Sequence, residues 1–145
     1  MQGMTIIVKT VTKILVGVIF LYGIYIITHG HLTPGGGFAG GAIIAGAYIL
    51  LVLAFGSDVI GLKSREKDSS KFESLAILTF LILASIGLFL SIRVFFFNYF
   101  PSGKVGTLIS GGVIPIYNIV VGIEVAAALI TIFLALVIYH EDELK

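Results

Sequence analysis

The feature that most constrains this chain is a series of four long apolar runs with almost no charge. About 20 apolar residues in a helix are enough to cross the hydrocarbon core of a bilayer. The runs predict spans over residues 10–28, 37–55, 73–97 and 117–139. With 58% apolar residues, 12% charged residues and a mean hydropathy of +1.13, the chain has too little charge for the surface of a soluble domain. The sequence therefore predicts an all-α membrane protein with four transmembrane helices in one domain, residues 1–145.

A glycine-rich break separates the first two apolar runs. Its motif residues are Pro34, Gly35, Gly36, Gly37, Phe38, Gly40 and Gly41. Proline disfavours helical geometry in the residue before it, so the first helix should end ahead of Pro34. Gly37, Gly41 and Ala45 then recur at four-residue spacing, a pattern that lets membrane helices approach closely. The second helix is therefore expected to pack tightly against its neighbours.

The distribution of basic residues predicts the orientation in the membrane. The amino-terminal lead, the connection over residues 56–72 and the carboxyl-terminal tail carry two, four and one basic residues. The opposite side carries Lys104 and Arg93 at most. Because lysine and arginine favour the cytoplasmic side, both termini are predicted to be cytoplasmic, with the break and the connection over residues 98–116 outside.

One acidic residue lies inside the last predicted span. Glu124 is flanked by uncharged residues on both sides, and it lies seven residues past Tyr117, roughly 10 Å into the span. A carboxyl group at that depth normally faces protein or a water-filled path, so Glu124 is a candidate for handling protons or cations. The alternative is a structural ion pair with Arg93, which lies at comparable depth on the preceding span.

Two histidines lie at the outer end of the first span. His29 and His31 are candidates for passing protons, because an imidazole titrates near neutral pH. The alternative is that they cap the first helix and hydrogen-bond the backbone of the break. Two histidines without a further ligand do not indicate a metal site.

The composition argues against two further classes of function, thiol chemistry and nucleic-acid binding. The chain has no cysteine, which excludes disulfides and thiolate chemistry within it. The net charge is +1 and the basic residues form no stripe, so nothing indicates a nucleic-acid partner.

Two stretches of the chain resemble a known family. The string GHLTPGGGFAGG at residues 30–41 and the string NIVVGIEV at residues 118–125 resemble the MnhB/MrpB family. Its members are small subunits of multisubunit Na⁺/H⁺ antiporters. Closely similar subunits occur in the cation-translocating module of archaeal membrane-bound hydrogenases and related sulfur-reducing complexes. Pro34 and Phe38 match motif positions of the family.

The resemblance implies a subunit that is not itself catalytic. Na⁺ and H⁺ would be the transported ions, and the chain would carry no cofactor of its own. Its partners would be other antiporter-type membrane subunits, or hydrogenase-type subunits, in the lipid bilayer of the cell membrane. Two alternatives remain open at this point. One is a purely structural subunit that anchors a redox-driven complex, and the other is an independent four-helix transporter.

Overall fold

The computed structural model describes the backbone of residues 4–56, 62–90 and 94–143, and the side chains of residues 4–56, 66–90 and 94–139. Within these residues all regular secondary structure is helical. The helices are α1 (Ile6–Thr28), α2 (Gly37–Phe55), α3 (Leu62–Phe89) and α4 (Ile114–Glu143). Each contains a stretch long and apolar enough to cross a membrane. The prediction of an all-helical chain with four such helices is confirmed.

Two helices begin slightly earlier than predicted, and α2 has the predicted bounds. Helix α1 begins at Ile6 because Thr5 caps it, its Oγ1 accepting a hydrogen bond from the Val8 N–H at 3.5 Å. Helix α4 begins at Ile114 and has Pro115 as its second residue. Proline is tolerated there because the first-turn N–H groups have no partner within the helix.

Helix α3 differs from the third predicted span, residues 73–97, at both ends, and the predicted end at residue 97 was wrong because residues 94–97 are not helical. Helix α3 starts at Leu62, inside the segment predicted as a polar connection. Lysine, arginine and glutamate are good helix formers, so charge moves a helix out of the bilayer without ending it. The described side chains of this extension include an ion pair between Lys71 and Asp68 at 3.6 Å.

The other end of α3 is at Phe89, because the chain folds back along the helix. The Phe96 N–H donates to the carbonyl oxygen of Ala84 at 3.1 Å. The Phe96 ring then packs against Phe80 and Tyr117, with centroids 5.9 and 5.6 Å away. The returning chain lies directly against Gly87 of α3. Residues 94–97, which the prediction placed at the end of the third span, therefore pack back against α3 and are not part of the helix.

The four helices form an open row in the order α1, α2, α4, α3. Helix α2 packs against α1 and α4, and α3 packs against α4. The end of α1 also touches α4, where Ile27 lies against Gly122. Within the described ranges α3 has no packing contact with α1 or α2. A small core between α2 and α4 centres on Val52, Leu134 and Val137. The row leaves the outer faces of α1 and α3 exposed, with many large apolar side chains.

One buried hydroxyl group joins α3 to α4. Ser69 is 9% exposed, and its hydroxyl donates to the carbonyl oxygen of Ala127 at 2.9 Å. The Thr131 hydroxyl donates to the same oxygen at 2.9 Å, so that acceptor keeps one partner if the serine is removed.

We expect Ser69→Ala to lower the free energy of unfolding by about 0.5–1 kcal/mol, the usual size of a hydrogen bond between membrane helices. Ser74→Ala is the matched control, because the Ser74 hydroxyl bonds only the Ser70 carbonyl of its own helix. Denaturant titration of both variants in detergent measures the difference. Equal stability of the two variants would contradict the role of the Ser69 bond.

Candidate functional site around the glycine-rich break

The break is a compact turn that reverses the chain between α1 and α2. The His29 carbonyl oxygen accepts hydrogen bonds from the N–H groups of Leu32 and Thr33 at 2.8 and 2.9 Å. The Thr33 hydroxyl donates to the same oxygen at 3.2 Å. These bonds satisfy a carbonyl group at the end of α1, which lipid could not do.

Two glycines of the motif have backbone angles that other residues rarely adopt. Gly35 has φ of 142° and Gly36, the cap residue of α2, has φ of 88°. Pro34 precedes them and is exposed. This pair therefore sets the direction in which α2 begins.

The next three glycines place backbone against backbone. A Cβ atom on Gly37 would overlap the backbone of Asn118 in α4, and one on Gly41 would overlap the carbonyl group of Gly122. On the neighbouring face, a Cβ on Gly40 would overlap Ile27 and the Gly23 carbonyl of α1. The predicted tight packing of α2 is confirmed, and its targets are α1 and α4.

His29 caps the end of α1, which was the alternative to a role in passing protons. Its Nδ1 lies 3.0 Å from the carbonyl oxygen of Tyr25 and 3.1 Å from the Thr28 hydroxyl. A carbonyl oxygen only accepts hydrogen bonds, so this contact places a proton on Nδ1. The ring also stacks on Tyr25, with centroids 4.1 Å apart.

His31 has a different environment from His29. Both of its ring nitrogens are buried, and neither has a hydrogen-bond partner among the described residues. Its ring faces Gly111, where an added Cβ would lie 3.7 Å from the His31 Cδ2. The capping interpretation therefore fits His29 and does not fit His31.

Asn118 belongs to this site although sequence reasoning did not single it out. Its Nδ2 is buried without a described partner. A Cβ on Gly30 would lie 2.9 Å from that nitrogen, so the amide packs against the turn next to His31. The signal in the sequence was an amide near the start of an otherwise apolar run.

Glu124 is half-buried in α4, on the side that faces α3. Tyr117 and Ala127 lie seven and three residues away, which places them on the same side of the helix. The Tyr117 ring contacts Phe80 of α3, and the Ala127 carbonyl accepts the Ser69 bond. Because α4 begins at Ile114, Glu124 lies ten residues, or about 15 Å, from the helix end, deeper than predicted.

The structure leaves the predicted ion pair untested. Arg93 lies outside the described residues, and Glu124 forms no ion pair with any side chain that is described. Glu124 and the histidines are also not brought together, since the histidines adjoin the turn and Glu124 lies two turns further along α4 than Tyr117.

The fold and the site define a membrane protein with four membrane-length helices and a glycine-packed reversal between the first two. A protein-family profile described as a domain related to the MnhB subunit of Na⁺/H⁺ antiporters matches residues 7–131. The chain belongs to this family.

Individual relatives agree with the family assignment. An uncharacterized protein of Methanocaldococcus jannaschii is 43% identical over 75% of this chain and 43% of its own length. A protein named as antiporter subunit mnhB2 of Staphylococcus epidermidis is 38% identical over 61% of this chain and 62% of its own length. This chain thus spans less than half of the first relative and less than two thirds of the second.

A solved structure has a similar fold. One chain of the membrane-bound sulfane sulfur reductase, an archaeal respiratory membrane complex, superposes with a TM-score of 0.69 and 35% identity. The match covers 89% of this chain and 56% of that chain.

We expect Gly41→Ala to lower the free energy of unfolding by about 1–3 kcal/mol, because its Cβ would overlap the Gly122 carbonyl group. Gly46→Ala is the matched control on the same helix, since nothing lies within 4 Å of a Cβ there. Denaturant titration of both variants in detergent measures their free energies of unfolding. A Gly41 variant as stable as the Gly46 variant would contradict the close approach of α2 to α4.

Proposed function

We propose that this protein is a small membrane subunit of a multisubunit Na⁺/H⁺ antiporter module in the cell membrane. It helps to form or support the cation/proton path and performs no covalent catalysis. The observation that carries this proposal is Glu124, a half-buried carboxyl group about 15 Å inside α4. An ionisable group at that depth costs several kcal/mol in lipid and is characteristic of ion pathways.

The open row of helices supports a role as one part of a larger assembly. Helix α3 contacts only α4 within the described residues, and both edge helices expose apolar side chains. Phe38 of the motif is 68% exposed on α2 and is free to contact a neighbouring subunit. The partners in this proposal are other antiporter-type membrane subunits. The setting is either a free-standing antiporter, as the mnhB2 likeness favours, or a redox-driven respiratory complex with hydrogenase-type subunits, as the reductase likeness favours.

The proposed orientation places both termini in the cytoplasm. The first turns of α1 carry Lys9 and Lys13, and the extension of α3 carries Lys67 and Lys71. These helix ends lie on the same side of the row. Helices α2 and α4 are parallel, since Gly37 and Gly41 contact Asn118 and Gly122 in turn, and α1 and α3 are each antiparallel to that pair. The excess of basic residues marks this side as cytoplasmic. His31 and the break then face outside, where protons enter an exchanger that expels Na⁺.

We expect Glu124→Gln to reduce Na⁺/H⁺ exchange by at least tenfold in vesicles that contain the whole complex, with normal assembly. The substitution keeps the shape of the side chain and removes its titratable proton. Glu66→Gln is the control, because it makes the same change at the charged start of α3. Exchange is followed with a pH-sensitive dye, and assembly by purification of the intact complex.

Retained exchange with a normally assembled Glu124→Gln complex would contradict the path-lining role. The structural alternative would then account for Glu124, with Arg93 as its ionic partner. In that case Glu124→Gln should instead lower the stability of the complex, and Arg93→Gln should lower it equally.

We expect His31→Gln to slow exchange several-fold and His29→Gln to leave the exchange rate within about twofold of the parent. The Nδ1 of His29 is engaged with the end of α1, whereas neither nitrogen of His31 has a described partner. Exchange rates measured at several external pH values distinguish the two variants. An equal loss in both variants, with equal loss of stability, would assign both histidines to the structure of the break.

A further inference from the structure

Two lysines of α1 converge on one aromatic ring at the end of α2. The Lys9 Nζ lies 5.8 Å and the Lys13 Nζ 5.6 Å from the ring centroid of Phe55. Phe55 is the last residue of α2, and the two lysines lie on successive turns of α1. Both ammonium groups are within range of the cation–π attraction of a single ring.

The position of the lysines along α1 explains why their side chains extend towards the Phe55 ring. Lys13 lies seven residues inside α1, about 10 Å from its first residue at 1.5 Å per residue. An ammonium group at that level would be in or near hydrocarbon, so the long aliphatic stem carries it towards the helix end. With the orientation proposed above, the two charges meet at the cytoplasmic boundary of the membrane, where lipid phosphate groups lie.

Among the described side chains, no negative charge offsets the two lysines at this ring. The sequence has no aspartate or glutamate before Asp58. No carboxylate among the described side chains forms an ion pair with Lys9 or Lys13, and the described pair at this end of the row joins Lys71 to Asp68. An aromatic ring attracts cations but carries no net charge, so the convergence of two cations favours an anion between them.

We propose that Lys9, Lys13 and Phe55 form a binding site for the phosphate group of an anionic phospholipid. The ammonium groups supply the charge and hydrogen-bond donors, and the ring holds the two side chains in position. The exposed Ile6 side chain lies three residues before Lys9, on the same face of α1, and is suited to contact an acyl chain of the same lipid. The site is independent of the ion path, so it stands whether or not Glu124 handles protons.

The first experiment measures the reactivity of Lys9 and Lys13 with an amine-acylating reagent, using the whole complex. Nanodiscs of phosphatidylglycerol should protect both lysines at least fivefold relative to nanodiscs of phosphatidylcholine, because a phosphate group held between the two ammonium groups blocks their acylation. Lys67 and Lys71 are the internal controls on α3 and should change less than twofold.

The second experiment counts the lipids that the complex retains in native mass spectrometry after release from mixed nanodiscs. Lys9→Gln with Lys13→Gln should reduce the retained phosphatidylglycerol at least fivefold, and Phe55→Leu should reduce it by a smaller factor. The matched control is Lys67→Gln with Lys71→Gln, which removes the same charge from the same side of the row.

Three outcomes would overturn the proposal. Equal protection by inorganic phosphate in detergent would mean that the site takes a free anion and not a lipid. Equal protection in both kinds of nanodisc, abolished by Asp58→Asn, would mean that the lysines are paired within the chain. An equal loss of retained phosphatidylglycerol in the Lys9/Lys13 and Lys67/Lys71 double variants would mean that only net charge attracts the lipid.

Discussion

The contact of glycine backbone with the backbone of two neighbouring helices is the constraint on which the rest of the structure depends. Gly40 lies against Gly23 of α1, and Gly41 lies against Gly122 of α4. In a bilayer no hydrophobic force drives helices together, so close van der Waals contact must hold them. Because these adjacent glycines point to different neighbours, α2 is held between α1 and α4, and α3 packs on the remaining side of α4.

This arrangement decides which polar groups are engaged and which remain available. The reversal after α1 brings His29 onto a carbonyl group of its own helix and carries His31 to the segment before α4. The packing of α4 between α2 and α3 leaves Glu124 on the same side of α4 as Tyr117, which contacts Phe80 of α3. Burying a polar group in a low-dielectric surrounding costs free energy unless the group is paired. Groups without a described partner are therefore those that a pathway or a neighbouring subunit would use.

The open row also leaves helix faces that another membrane subunit could cover. A closed bundle would cover most of its helix faces with its own residues, whereas here the faces of α1 and α3 are exposed along their length. Lipid can cover such faces, and so can another transmembrane subunit. The site at Phe55 adds a charged boundary at one end of this apolar surface.

The sequence by itself determined the four membrane-length helices, the reversal between the first two and the tight packing of α2. Hydrocarbon requires a backbone to satisfy its own hydrogen bonds, and glycines at four-residue spacing mark a contact surface. Only the tertiary structure decided where α3 ends, because the apolar run continues past Phe89 and the ending depends on contacts of Phe96 with Phe80 and Tyr117. The two histidines likewise look equivalent in the sequence. They differ in the structure because one stays beside its own helix, while the other meets Gly111, which is distant in the chain.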